Sequence, residues 1–209
     1  TSSLYGSSIP LVKTLGKQLC MPKGSEIILI SGFLGGYPTG AQAITSAYQS
    51  NQMDKKDADR LLTFCSNAGP AFIFGMVSPV FLNILDTLSL WLIHIISAVY
   101  VGMLISQKSS DKTILLSRQE ITVDAAIRTS IQVMATICSW IILFRVILEF
   151  LDRWFLWRLP ITLQVIFCSI LELSNGICML HEIADPGLRY VICSGILGWG
   201  GLCVTLQTL

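Results

Sequence analysis

The feature that most constrains this chain is a set of charge-free runs interrupted by glycine and proline. No charged residue lies in 27–53, 129–144 or 190–209, Asp86 stands alone in 61–107, and Glu172 stands alone in 159–181. About 20 apolar residues cross a bilayer as a helix. With 53% hydrophobic and 13% charged residues, against roughly a quarter charged in soluble domains, these runs predict an all-α polytopic membrane protein. Fourteen Lys and Arg balance thirteen Asp and Glu, which excludes the basic surface that nucleic acid requires.

Several runs are too short or too interrupted to be whole spans. Residues 1–25 read as an interfacial segment, with Leu11, Leu15 and Cys20 near one helical face and Lys13 and Lys17 elsewhere. The first half, 26–107, holds breaks at 36–40 (GYPTG) and 66–70 (SNAGP) and a span at 80–105 with Asp86 and His94 inside it. Ten apolar residues from Ile27 to Gly36 rise about 15 Å, half the hydrocarbon core, so a re-entrant half-helix is expected there, with 39–50 returning. The polar stretch 51–60 reads as aqueous, with Asp54 as an N-cap and Asp57 in the first turn. Residues 108–123 read as an exposed loop whose basic residues favour the cytoplasm. The second half, 124–209, has a span at 124–151, interfacial Trp154 and Trp157, and breaks at 174–176 (SNG) and 195–201. SGFLG at 31–35 is echoed by SGILG at 194–198, each followed by more glycines and then a glutamine, Gln42 and Gln207. Short, interrupted segments in corresponding positions of two halves point to inverted repeats flanking full spans, with a solute site between the breaks.

Non-helical backbone at membrane depth is tolerated only where protein or water covers it, because an unpaired peptide group there costs several kcal/mol. Half-helix N-termini at such breaks attract carboxylates and phosphates. The candidate site residues are therefore Ser31, Gly36, Tyr37, Pro38, Thr39, Gly40, Gln42, Cys65, Ser66, Asn67, Gly69, Pro70, Glu172, Asn175, Gly176, Ser194 and Gln207. Glu172 is either a proton-coupling group or a helix cap. Arg145 and Glu149, four residues apart, read as a structural ion pair. The seven cysteines are scattered without CxxC spacing and read as small core residues. No nucleophile elbow, phosphate loop or HExxH occurs, so neither an enzyme nor a cofactor is expected.

SGFLGGYPTGAQAI at 31–44, LLTFCSNAGPAFIFGMV at 61–77, ILELSNGI at 170–177 and the closing GILGWGGLCVTLQ at 195–207 resemble the sporulation integral membrane proteins of endospore-forming bacteria. That family is built from nucleoside-recognition gate domains, and the motifs match it in order and spacing over nearly the whole chain. The resemblance implies two gate-like repeats and an association with dipicolinic acid, a small aromatic dicarboxylate. Members of the family are longer, so the chain, which opens on Thr1, is expected to be an excerpt. The reading is then a multi-pass permease of a bacterial cell membrane or forespore-surrounding membrane. Its expected partners are the lipid bilayer, a small anionic solute and a coupling proton or sodium ion, with homo-oligomers compatible. Tyr37 would stack on the solute, while Thr39, Asn67 and Asn175 would hydrogen-bond it. Two alternatives stand beside it: a metal or nucleoside pathway with Cys65 as a soft ligand, and a non-transporting organiser of a sporulation complex acting through 51–60 and 107–128.

Overall fold

The computed structural model describes residues 10–81, 83–107, 109, 114 and 122–207; residues 1–9 of the interfacial segment and most of the 108–123 loop lie outside them. Among the described residues the regular structure is helical, without an extended strand. Four helices are long and apolar enough to cross a membrane, at Lys55–Val80, Ile84–Leu104, Val123–Trp154 and Pro186–Gln207, and two shorter apolar helices lie at Glu26–Gly35 and Ile161–Leu171. The chain is an all-α, multi-pass membrane protein. It divides into two compact units, Thr1–Phe72 with Trp91–Ser117, and Ile73–Leu90 with Arg118–Leu209.

In the first unit, α1 (Pro10–Gln18) leads to a buried Leu19. Helix α2 (Glu26–Ile30) runs into a π-helical turn, Ser31–Gly35, and stops at Gly36, whose φ of 70° ends any right-handed helix. Helix α3 (Thr39–Gln49) then folds back along α2. The Thr39 hydroxyl donates to the Ser31 carbonyl at 3.1 Å, and a Cβ on Gly40 would lie 2.9 Å from the Gly32 Cα. The two arms are a helical hairpin with its tip at 36–38, where the Tyr37–Pro38 peptide is cis. The break is thus shorter than the 36–40 read from sequence, because Thr39 and Gly40 already belong to the returning helix. Helix α4 (Lys55–Cys65) ends before 66–69, and α5 (Pro70–Phe72) continues it into a second π-helical turn, Ile73–Val77. Proline suits the restart, since the first helical N–H has no acceptor to lose.

The aqueous reading of 51–60 holds for one face only. Lys55, Lys56 and Asp59 are exposed, but Met53, Asp57 and Arg60 are buried. Arg60 donates to the Gln107 carbonyl, to the Cys20 carbonyl at 2.7 Å and to Asp57 at 3.1 Å, and Asp57 accepts from Ser109 at 3.0 Å. Carbonyls and a carboxylate replace the water this cation would otherwise need. The unit's core gathers Leu19, Ile28, Ile44, Leu61, Phe64 and Cys65.

Helix α6 (Ile84–Leu104) starts later than the span expected from residue 80, since a 3-10 turn occupies Ser78–Val80. In the second unit, α7 (Val123–Trp154) is capped by Thr122, which accepts from the Ala125 amide. Its 32 residues amount to about 48 Å. Only the stretch between Arg128 and Arg145 is free of charge, and that is about 25 Å of helix, so its last turns extend past the apolar layer towards Trp154 and Trp157, both exposed. Helix α8 (Ile161–Leu171) meets α9 (Leu173–Met179) at a single extended residue, Glu172. A Cβ on Gly176 would sit 2.6 Å from the Ser169 Cβ, a proximity that two collinear turns could not give, so α8 and α9 are also a hairpin. Helix α10 (Pro186–Trp199) breaks at Gly200 and Gly201, with φ of 79° and 84°, before α11 (Leu202–Gln207).

Two expected breaks therefore move. Ser174, Asn175 and Gly176 lie within α9, and the turn is at Glu172, because a carboxylate caps the helix before those residues can end it. Gly195 and Gly198 lie inside α10, and only Gly200 and Gly201 take the left-handed conformation that a break requires. The SGFLG and SGILG echoes fall on different elements, the inbound arm of a hairpin and the first part of a broken helix. What the two units share is order: a hairpin followed by a broken helix.

Candidate functional site

In the first unit the hairpin tip is seated in the break of the 55–80 helix. A Cβ on Gly36 would lie 2.4 Å from the Gly69 nitrogen, and Cβ atoms on Gly32 and Gly40 would lie 2.0 and 2.2 Å from the Cys65 carbonyl oxygen. The approach is possible because the three hairpin positions lack side chains. The Thr39 hydroxyl holds the tip together through the Gly36 carbonyl at 2.8 Å. The freed backbone of the break has its own partners: Asn67 Nδ2 donates to the Phe64 carbonyl at 2.6 Å, and the Ala68 amide donates to His94 Nε2 at 3.2 Å. No charged side chain occurs in 27–53 or 61–85. Among the described residues, the polar groups of this crossing are peptide groups with Thr39, Ser66, Asn67, Tyr37 and His94.

The second unit repeats the arrangement with a charge at the tip. Glu172, 2% exposed, accepts from the Ser174 amide at 3.0 Å, the Asn175 amide at 2.7 Å and Asn175 Nδ2 at 2.8 Å. A carboxylate at a helix N-terminus satisfies amides that have no helical acceptor. Arg145 of α7 extends the network, donating to Asn175 Oδ1 at 3.0 Å and to Glu149 at 2.8 Å. The tip meets the α10–α11 break: a Cβ on Gly201 would lie 3.2 Å from the Leu173 nitrogen, and Trp199 Nε1 donates to the Ile170 carbonyl at 3.3 Å.

Of the residues singled out in the sequence, Gly36, Tyr37, Pro38, Thr39, Gly40, Cys65, Asn67 and Gly69 converge in the first crossing, with Ser31 joined to it through Thr39. Ser66 and Pro70 flank the same break, while Gln42 is exposed one turn beyond the tip on α3. Glu172, Asn175 and Gly176 form the second tip. Ser194 bonds back to the Tyr190 carbonyl within α10, and Gln207 donates to Cys203 within α11, so neither reaches that tip through its hydrogen bond. Of the two readings of Glu172, the helix cap is what the structure shows: its carboxylate fills the α9 terminus. The pairing of Arg145 with Glu149 is present, but it also engages the tip through Asn175.

Other residues were missed. A cavity of about 290 Å³ in the second unit is lined by Arg145, Glu149, Asp152, Gln164, Cys168 and Glu182 among others. Arg145, Glu149 and Asp152 recur at i, i+4 and i+7, one face of a helix, and that spacing was readable. From the sequence His94 is only a histidine inside a span, because nothing in a sequence tells which broken backbone a distant helix will reach. Among the described residues no three His, Cys, Asp or Glu side chains gather as a metal-binding group.

A stretch of 58 residues is 34% identical to the sporulation integral membrane protein YlbJ of Bacillus subtilis (strain 168), covering 28% of this chain and 14% of that protein. No family model matches the chain, and no solved structure matches it. The resemblance read over nearly the whole chain is thus carried by about a quarter of it. The chain is similar over this stretch to a sporulation membrane protein, and its four apolar helices make it a multi-pass integral membrane protein.

Proposed function

We propose that this chain forms a solute pathway of a secondary permease, working by alternating access rather than by covalent chemistry. One observation carries the reading: in each unit a hairpin whose inbound arm is too short to cross the membrane seats its tip in a break of the following helix. A membrane anchor needs no such break, whereas carriers bind their solutes where discontinuous helices expose backbone groups. Internally paired tips of this kind are surfaces that separate and re-form without breaking a regular helix. The two units then correspond to two gate-like repeats.

The solute we assign is a small organic anion, with dipicolinate as the first candidate. The likeness to a sporulation membrane protein supports the setting, a bacterial membrane during spore formation. The first crossing is the better place for an anion, because no carboxylate of the chain competes there, whereas Glu172 already occupies the α9 terminus. Tyr37, half-buried at the tip, offers a ring for stacking.

The test is uptake of radiolabelled dipicolinate by proteoliposomes. Saturable uptake above that of empty liposomes is expected, reduced about tenfold in Asn67→Ala, the loss of one hydrogen bond at the break. Uptake no faster than that of empty liposomes would remove the reading.

A further inference from the structure

His94 stands midway along α6, and no charged residue lies between 87 and 107. Its Nε2 is 3.2 Å from the Ala68 nitrogen and accepts that amide's hydrogen. Ala68 is 2% exposed and sits in the middle of the 66–69 break, where the helical i−4 acceptor is lost. A ring nitrogen accepts a hydrogen bond only while it carries no proton. Once Nε2 is protonated it becomes a donor facing a donor, and the buried amide is left without a partner.

We propose that His94 is a proton-binding site whose neutral form latches the 66–69 break through Ala68 and whose protonated form releases it. One proton is taken up at Nε2, the ring becomes an imidazolium, and the Ala68 amide keeps its hydrogen. Its use as the coupling site of transport rests on the permease reading; the latch itself does not. The other titratable and charged groups on these elements are Cys65 at the end of α4 with Lys55, Lys56, Asp57, Asp59 and Arg60 in its first half, Tyr37 at the hairpin tip, and Asp86 and Tyr100 on α6 itself. Histidine is the side chain whose ordinary charge change lies closest below neutral pH, and His94 is the one that accepts from the break.

The latch is tested through the thiol beside it. Cys65 is buried directly before the break, so its alkylation by N-ethylmaleimide reports opening, read in reconstituted chain whose other six cysteines are replaced by serine. Rates are divided by those of glutathione at the same pH, because thiol chemistry slows as pH falls. The normalised rate should rise as the pH is lowered stepwise from 8 to about 4 in the presence of His94. It should stay low in His94→Gln, whose carboxamide oxygen accepts at every pH, and high throughout in His94→Ala. Identical pH profiles with His94 and with His94→Gln would overturn the proposal. Hydrogen exchange of residues 61–72 in the chain with all its cysteines reads the same comparison if the serine variant does not fold. Dipicolinate uptake separates the two readings. PH-dependent opening without uptake removes the permease and keeps the latch, whereas uptake with the same pH profile in His94→Gln removes His94 as its coupling site.

Discussion

Gly36 and Gly69 meet backbone to backbone: a side chain on either would intrude on the other, at 2.4 Å from the Gly69 nitrogen in one direction and 3.0 Å from the Gly36 Cα in the other. Gly36 also has φ 70° and ψ −157°, a region that side chains make strained by about 1–3 kcal/mol. Clash and strain add. Gly36→Ala is expected to destabilise the first unit by about 3 kcal/mol or more, read as a lower thermal midpoint in detergent. An unchanged midpoint would mean that the tip is not seated in the break.

Glu172 tests the second tip. It satisfies two backbone amides and the Asn175 side chain at once. Glu172→Ala leaves those donors buried, at about 1–3 kcal/mol, whereas Glu172→Gln keeps an acceptor oxygen and is expected to lose about half as much. The ordering Ala below Gln below wild type in thermal unfolding checks the cap. Equal stability of all three would leave the carboxylate without a structural role.

The membrane class and the first hairpin were legible because hydrophobic length and glycine–proline punctuation act locally. Ten apolar residues from Ile27 to Gly36 cannot span, and the chain turns where they end. The second tip was misplaced because Ser174-Asn175-Gly176 has turn-forming composition, yet the preceding carboxylate reaches the α9 amides and makes the same residues the start of a helix. Burial of Arg60 was invisible for another reason. A Lys- and Asp-rich stretch looks solvated until Gln107 and Cys20, distant in sequence, bring their carbonyls to it. The two crossings depend on such long-range approaches, so their members could be named from sequence but their partners could not.

The Asp57–Arg60 pair gives a third prediction. Both side chains are buried, and the guanidinium ties Cys20 and Gln107 to the middle of α4. Arg60→Met strands a buried carboxylate and is expected to cost about 3–5 kcal/mol, while the double variant with Asp57→Leu recovers part of that. A double-mutant cycle on chemical unfolding measures the coupling. Strict additivity of the two substitutions would show that the pair is not formed.

The last prediction uses one motif twice. Ser31–Gly35 and Ser194–Gly198 carry the same SGxLG pattern, so composition alone would give their glycines one role. Their surroundings differ: a Cβ on Gly32 would lie 2.0 Å from the Cys65 carbonyl oxygen, whereas Gly195 and Gly198 have nothing within 4 Å. The carbonyl cannot yield without moving the end of α4. Gly32→Ala is therefore expected to cost about 1–3 kcal/mol by overpacking. Gly195→Ala and Gly198→Ala, inside a helix with open space around them, should be neutral or stabilise by up to about 1 kcal/mol through helix propensity. Thermal unfolding of the three single variants decides it. Comparable losses at Gly32 and Gly195 would show that the motif, and not the hairpin crossing, sets the need for glycine.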